Sequence, residues 1–141
     1  MKYVLDSSVA VKWVLKEQLS DKALLLRDDF RSGMHVLLSP DFFPIEVGHA
    51  LTRAERQKRI PVGGAIVLLA DILSTSPVFH PSIQLLMRAC EISSQMRVGI
   101  YDCAYVALAE REKCELLTAD DKLLKNLQPA FPFIVGLSTL P

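Results

Sequence analysis

Four acidic residues stand where a folded chain could bring their carboxylates together. Asp6 directly follows the short apolar run Tyr3–Leu5, and Asp120 follows a later apolar run. Glu46 lies in an apolar setting, and Asp102 opens a stretch of small residues. Converging carboxylates repel each other and raise each other's pKa unless a cation neutralises them. A cluster of this kind that stays ionised at neutral pH therefore implies a bound metal ion.

The chemistry of these ligands favours Mg²⁺ or Mn²⁺, because the set offers oxygens and no helpful Cys or His. Such an ion keeps several waters, shares its coordination sphere with substrate phosphate and can hold a water as nucleophile. Each acid also has a purely structural interpretation. Asp6 and Asp120 suit helix caps or turns, and Glu46 and Asp102 suit the positive first turn of a helix. The order of the acids is explicit in the sequence, whereas their convergence is a prediction.

Short strands alternate with helices along the chain. The apolar runs predict strands at Tyr3–Leu5, His35–Leu38, Pro77–His80, Glu115–Thr118 and Phe133–Val135. Helical patterns cover Ser8–Lys16, Ser20–Arg31, a segment from Asp41 into the basic cluster Arg53–Arg59, Val62–Leu73, Ser82–Met96, Ile100–Glu112 and Lys122–Leu127. This alternation predicts an α/β fold, with a mostly parallel central sheet of about four to five short strands flanked by helices. Ligands bind such a sheet at the carboxyl ends of its strands, where Asp6 would lie.

Composition indicates an ordinary globular domain. The chain has 141 residues, half of them hydrophobic, which suits a single domain over residues 1–141. Sixteen basic and sixteen acidic residues give a net charge of zero, so any polyanion must be held by a local patch or by metal. No apolar run is long enough to span a bilayer. Met1-Lys2 leads straight into the first strand without a secretory signal, and the three cysteines are interpreted as buried thiols, so we expect a cytoplasmic protein.

Four fragments in a fixed order carry a family resemblance. They are Leu5-Asp6-Ser7-Ser8-Val9-x-x-Lys12-Trp13, Glu46-Val47-x-x-Ala50-Leu51, Tyr101-Asp102-x-x-Tyr105-x-x-Leu108-Ala109 and Leu117-Thr118-Ala119-Asp120-x-x-Leu123. In this order the chain resembles a PIN domain, and in particular the VapC-type toxins of bacterial and archaeal toxin–antitoxin pairs. The resemblance spans nearly the whole chain.

The resemblance implies an Mg²⁺- or Mn²⁺-dependent endoribonuclease. The acidic metal site of the family carries over to the four residues named above, Asp6, Glu46, Asp102 and Asp120. Ser8 matches the hydroxyl residue that supports the first acid, Thr118 the one that precedes the last acid, and Asp121 a further acid that acts through water in some members. The expected partners are RNA, a cognate antitoxin and a second copy of the chain. We expect a homodimer through Val62–Leu73 or the second helix.

Basic residues near the acids have two interpretations. Lys12, Arg53 and Arg56 could contact RNA phosphates, since Arg53 and Arg56 continue the helix that carries Glu46. Alternatively, the basic run of that helix is a solvated end whose cations complement the helix dipole.

Two other functions remain open from the sequence. A phosphotransferase of the haloacid-dehalogenase type also begins with a strand and an Asp, but it normally has a second Asp where this chain has Ser8. A non-catalytic module that binds RNA or protein is the other alternative, and the full set of acids argues against it.

Overall fold

The computed structural model describes all 141 residues. Five strands form one sheet: β1 (Lys2–Leu5), β2 (Val36–Pro40), β3 (Val78–His80), β4 (Glu115–Thr118) and β5 (Ile134–Gly136). Seven α-helices connect or follow them: α1 (Ser7–Val11), α2 (Ser20–Arg31), α3 (Phe43–Arg56), α4 (Gly64–Leu73), α5 (Leu86–Met96), α6 (Ile100–Glu112) and α7 (Asp121–Leu127). The predicted α/β class is confirmed.

The sheet order determines where a site can form. The strands run β3-β2-β1-β4-β5, and every neighbouring pair is parallel. The chain leaves β1 toward β2 on one side and later returns to place β4 on the other side. The carboxyl ends of β1 and β4 therefore flank the point where the strand order reverses, which is where open α/β sheets form their ligand crevice.

Both faces of the sheet are covered, so its central strands are apolar on both sides. In β1, Tyr3 and Leu5 pack into one core with α1 to α4, whereas Val4 packs into a second core with α5 to α7. Helix α6 is buried over seven consecutive residues, from Cys103 to Ala109. Because α6 lies against the sheet and α5, it holds its first turn firmly at the carboxyl edge of the strands.

Several predicted boundaries were wrong. The first helix ends at Val11 instead of continuing to Lys16, because its β-branched valines favour helix weakly and the chain turns there to let Trp13 Nε1 donate to the Ala23 carbonyl. The predicted helix from Ser82 begins as a 3-10 turn after Pro81, so the α-helix starts only at Leu86.

Other differences are smaller. Strand β2 continues through Pro40, and α3 therefore begins at Phe43 rather than at Asp41. The cysteines are free, and Cys90 is exposed rather than buried. None of the helices combines the length and the apolar character that crossing a bilayer would require.

Candidate functional site

Asp6 lies immediately beyond the carboxyl end of β1 and is buried, with 5% of its surface exposed. Its backbone N–H donates to the Leu117 carbonyl of β4 at 3.0 Å, so the residue is held at the junction of the two strands. It also occupies the N-cap position of α1, but its carboxylate makes no capping hydrogen bond to that helix. The capping interpretation therefore does not explain this acid.

Two hydroxyl groups orient the Asp6 carboxylate. Ser8 Oγ donates to Asp6 Oδ2 at 2.6 Å, and Thr118 Oγ1 donates to the same oxygen at 2.8 Å. Each hydroxyl also accepts a backbone hydrogen bond, Ser8 from Ala119 N–H at 2.9 Å and Thr118 from Asp120 N–H at 3.0 Å. Since a hydroxyl has only one proton, these backbone donors direct both protons toward Asp6. No side chain donates to Asp6 Oδ1.

Glu46 reaches the same cleft from the first turn of α3. Tyr105 OH donates to Glu46 Oε1 at 2.7 Å, and Ser7 Oγ donates to the same oxygen at 3.2 Å. Tyr105 belongs to the buried part of α6, one turn after Asp102, so a single helix positions one acid and supports another. Glu46 Oε2 has no hydrogen-bond donor.

Asp102 and Asp120 complete the arrangement from α6 and from the end of β4. Asp102 lies in the first turn of α6, half-buried, and no donor bonds to its carboxylate. Asp120 caps α7, because its Oδ1 accepts from Lys122 N–H at 2.9 Å and from Leu123 N–H at 3.3 Å. The capping interpretation is confirmed for Asp120, whose Oδ2 is left without a donor.

Burial and mutual repulsion both act on the acids of the site. Burial first, and then the charges of Asp6, Asp120 and Glu46, raise the pKa of Asp102 to about 7. Burial also raises the pKa of Asp6, against the lowering effect of its hydroxyl donors, and the pKa of Glu46, to which the Asp6 charge contributes. No cation lies among the causes of these shifts, so without an added positive charge the ionised cluster is unfavourable.

A cleft of about 1060 Å³ opens above the acids. The four predicted acids line it together with Ser7, Ser8, Val11, Lys12, Glu17, Phe42, Ile45, His49, Ala50, Arg53, Tyr101 and Ala119. Lys12 and Arg53 therefore line the cleft, and their contact with RNA phosphates stays a prediction. Arg56 and Asp121 are exposed and do not line the cleft, and Thr118 lies buried beneath it.

The donor atoms suit a hydrated divalent ion. No three His, Cys, Asp or Glu side chains are arranged to hold a metal directly. Mg²⁺, however, is usually held by one or two carboxylates and keeps several waters. Each of the four acids leaves at least one oxygen free of a side-chain donor, and the coupling described above favours a positive charge among them. The residues therefore fit such an ion.

The sequence interpretation assigned no role to two residues that the structure places at the site, Tyr105 and Glu17. Tyr105 donates to Glu46, and Glu17 lies at the rim beside Lys12. Ser7 also donates to Glu46, at a longer distance than Tyr105. The spacing of Asp102 and Tyr105 along one helix face was the available signal for Tyr105. Glu17 lies in the connection between α1 and α2, where hydrophobic periodicity carries no information.

Comparison with known proteins identifies the family. The family model described as the PIN domain matches residues 3–127. The chain belongs to the PIN domain family. PIN domains are generally nucleases and typically use divalent metal ions. The match covers all four acids, and the resemblance inferred from the ordered fragments is confirmed at the level of the family.

Solved structures show the same fold. The PIN domain is similar to PAE2754 from Pyrobaculum aerophilum, with a TM-score of 0.69 and 20% identity, over 99% of this chain and 94% of that chain. It is also similar to VapBC2 from Rickettsia felis bound to a DNA fragment from their promoter, with a TM-score of 0.63 and 15% identity, over 96% of this chain and 97% of that chain. No curated protein matches the chain.

Proposed function

We propose that this PIN domain is an Mg²⁺- or Mn²⁺-dependent endoribonuclease and the toxin of a type II toxin–antitoxin pair. The observation that carries the proposal is the meeting of Asp6, Glu46, Asp102 and Asp120 in one cleft at the reversal point of the sheet. The family membership supports nuclease chemistry, and the likeness to VapBC2 supports a toxin with an antitoxin partner.

In this proposal the four acids hold the ion between them, directly or through water. When bound, the ion supplies an activated water and neutralises charge on the scissile phosphate. Ser8 and Thr118 orient Asp6 and favour its ionised form, because both donate to the same carboxylate oxygen. Tyr105 does the same for Glu46. Asp102 lacks a protein donor and has its pKa raised to about 7, so the added positive charge favours its ionised form.

The strand that is cut approaches along the rim of the cleft. Lys12 and Arg53 line that rim and supply local positive charge, which a chain of zero net charge needs to attract RNA. Arg56 lies outside the cleft, and we propose no direct phosphate contact for it. For Asp121, which is exposed on α7, we likewise propose no direct part in holding the ion.

The decisive test is cleavage of defined RNAs with and without Mn²⁺. Asp6→Asn and Asp102→Asn should each abolish metal-dependent cleavage while the far-ultraviolet circular dichroism spectrum stays unchanged. Asp41→Asn is the matched control, because Asp41 is an exposed acid at the same edge of the sheet that does not line the cleft. Full cleavage by either cleft variant would overturn the site assignment. Failure of the wild-type protein to bind any divalent ion in calorimetry would favour the non-catalytic module.

Two observations argue against the phosphotransferase alternative. The chain belongs to the PIN domain family, and Ser8, at the position of the expected second Asp, donates to Asp6 instead of acting as an acid.

The toxin role predicts a growth phenotype. Expression of the wild-type chain in a bacterial host should arrest growth, and Asp6→Asn should not. Co-expression of the protein encoded by a small neighbouring reading frame should relieve the arrest. Arrest by Asp6→Asn equal to that of the wild type would contradict a toxicity that depends on cleavage.

We also propose a homodimer through α4. Val62, two residues before α4, and Ile66 and Val67 within it are largely exposed, with relative exposures of 94%, 74% and 66%. Apolar surface gathered in this way marks an interaction site. Light scattering after size exclusion should give a dimer for the wild type and a monomer for Ile66→Lys, whereas Ile83→Lys, at an equally exposed position outside α4, should stay dimeric. A wild-type monomer at micromolar concentration would contradict the proposal.

A further inference from the structure

The cleft continues past the acids into a smaller groove of about 350 Å³. The groove runs between the end of α1 with its following segment and the C-terminal half of α3 with the turn after it. Its lining residues are Val11, Leu15, Glu17, His49, Ala50, Arg53, Gln57 and Arg59. Five of these also line the main cleft, so the two spaces are continuous.

Charge is distributed unevenly along this continuous path. The acids occupy one end, and the other end carries the cations Lys12, Arg53 and Arg59. The Arg53 side chain makes no hydrogen bond or ion pair within the protein, although it lines both spaces. The chain as a whole has no net charge, so this positive end is a local feature of the site.

A single carboxylate stands among the cations. Glu17 Oε2 accepts from Arg59 Nη2 at 2.9 Å, and Glu17 Oε1 accepts from Lys12 Nζ at 3.5 Å. The side chains of Glu17 and Arg59 are 30% and 46% exposed. Ion pairs at such exposure are weak, because water screens them and two long side chains must be ordered. An anion with stronger geometry can therefore take the place of Glu17.

We propose that this groove is a subsite for a backbone phosphate of the RNA strand next to the phosphate that is cut. Arg59, Arg53 and Lys12 bind that phosphate, and Glu17 occupies Arg59 and Lys12 when no RNA is present. A guanidinium pairs with phosphate through two parallel hydrogen bonds, which the single contact with Glu17 does not provide. The subsite rests on the proposed ribonuclease function, since it positions the same strand whose neighbouring phosphate meets the acids.

The subsite is tested by RNA binding without divalent metal, so that cleavage plays no part. Fluorescence anisotropy with a labelled single-stranded RNA of about 12 nucleotides, titrated between about 50 and 200 mM salt, gives both affinity and its salt dependence. Arg59→Gln should lower the salt slope by about 0.7, which corresponds to about fivefold weaker binding at about 0.1 M salt. Glu17→Gln should tighten binding by a similar factor, since it removes the competing carboxylate.

Arg56→Gln is the matched control, because it removes the same charge from the last residue of α3, three positions before Arg59 and outside the groove. It should change affinity by less than about twofold. Equal affinities for Arg59→Gln and Arg56→Gln, unchanged or weaker binding by Glu17→Gln, or no RNA binding by the wild type would overturn the subsite. Thermal unfolding followed by circular dichroism confirms that the compared variants are folded.

The two proposals fail in different ways. If the wild type binds RNA with the expected differences between variants but no RNA is cleaved in Mn²⁺, the ribonuclease proposal is wrong and the phosphate subsite stands. If RNA is cleaved but the groove variants all bind like the wild type, the subsite is wrong and the ribonuclease proposal stands.

Discussion

Thr118→Val should damage the site by removing one hydroxyl group. Thr118 is fully buried at the end of β4, where its hydroxyl donates to Asp6 at 2.8 Å and accepts from Asp120 N–H at 3.0 Å. Valine keeps the shape and the β-branched character of threonine but can neither donate nor accept. Asp6 then loses one of its two side-chain donors, and the Asp120 N–H loses its partner.

The cost follows from these two contacts. A hydrogen bond to a charged group contributes about 1.5–3 kcal/mol, and an unsatisfied buried N–H costs about 1–3 kcal/mol. Asp120 is only half-buried, so water can reach its N–H and the second cost stays near the lower limit. The free energy of unfolding should therefore fall by about 2–4 kcal/mol. Loss of a donor to the ionised form also raises the pKa of Asp6 further, so cleavage should need a higher pH.

Urea unfolding followed by circular dichroism measures the free energy of unfolding. The pH profile of RNA cleavage in Mn²⁺ reports the ionisation of Asp6. Thr118→Ser should restore most of both properties, because it keeps the hydroxyl. Thr52→Val is the matched control, since the Thr52 hydroxyl is exposed and bonds only to carbonyls of its own helix. A Thr118→Val protein as stable as the wild type, with an unchanged pH profile, would refute the reasoning.

Three further predictions concern other parts of the site and the fold. Because the Asp102 carboxyl has its pKa raised from 3.8 to about 7, the folded protein binds more protons than the unfolded chain between these values. Without metal, the stability measured in urea should thus fall as pH rises through this range, and Mg²⁺ should cancel the fall. Tyr105→Phe removes the 2.7 Å hydrogen bond to Glu46 and should slow RNA cleavage by about tenfold, measured at saturating metal. Arg27→Met should lower the free energy of unfolding by about 2–4 kcal/mol in urea, because Arg27 is buried and bonds to Asp71.

Each of these predictions has its own control. Without metal, Asp102→Asn should make the free energy of unfolding less dependent on pH. An unchanged pH dependence in this variant would show that other groups cause it. Tyr101→Phe should cleave RNA like the wild type, because the Tyr101 hydroxyl makes no hydrogen bond. A cleavage rate lowered as much as that of Tyr105→Phe would contradict the role of the Tyr105 hydrogen bond. Arg31→Met should cost less than about 1 kcal/mol, since Arg31 is exposed. If Arg27→Met and Arg31→Met lowered the free energy of unfolding equally, burial would not explain the effect of Arg27.

Most of the fold could be predicted from the sequence, because its elements have strong local signals. All five strands and their alternation with helices follow from short apolar runs, and a chain of parallel strands needs helical crossovers. The first helix was predicted too long, because the apolar residues around Trp13 have a helical pattern. Weak helix propensity and the hydrogen bond from Trp13 to Ala23 end the helix earlier. Local pattern cannot report a long-range contact of this kind.

The sequence by itself determined which acids are present, their order, and the strands and helices that carry them. Only the tertiary structure decided that the four acids meet, because this depends on β4 lying beside β1 and on the path of α6 across the sheet. The structure also separated Arg53, which reaches the cleft, from Arg56, which does not, although both lie on one helix. The roles of Tyr105 and Glu17 likewise depend on the tertiary structure. Tyr105 donates to Glu46 of another helix, and Glu17 accepts from Arg59, which is distant in the sequence.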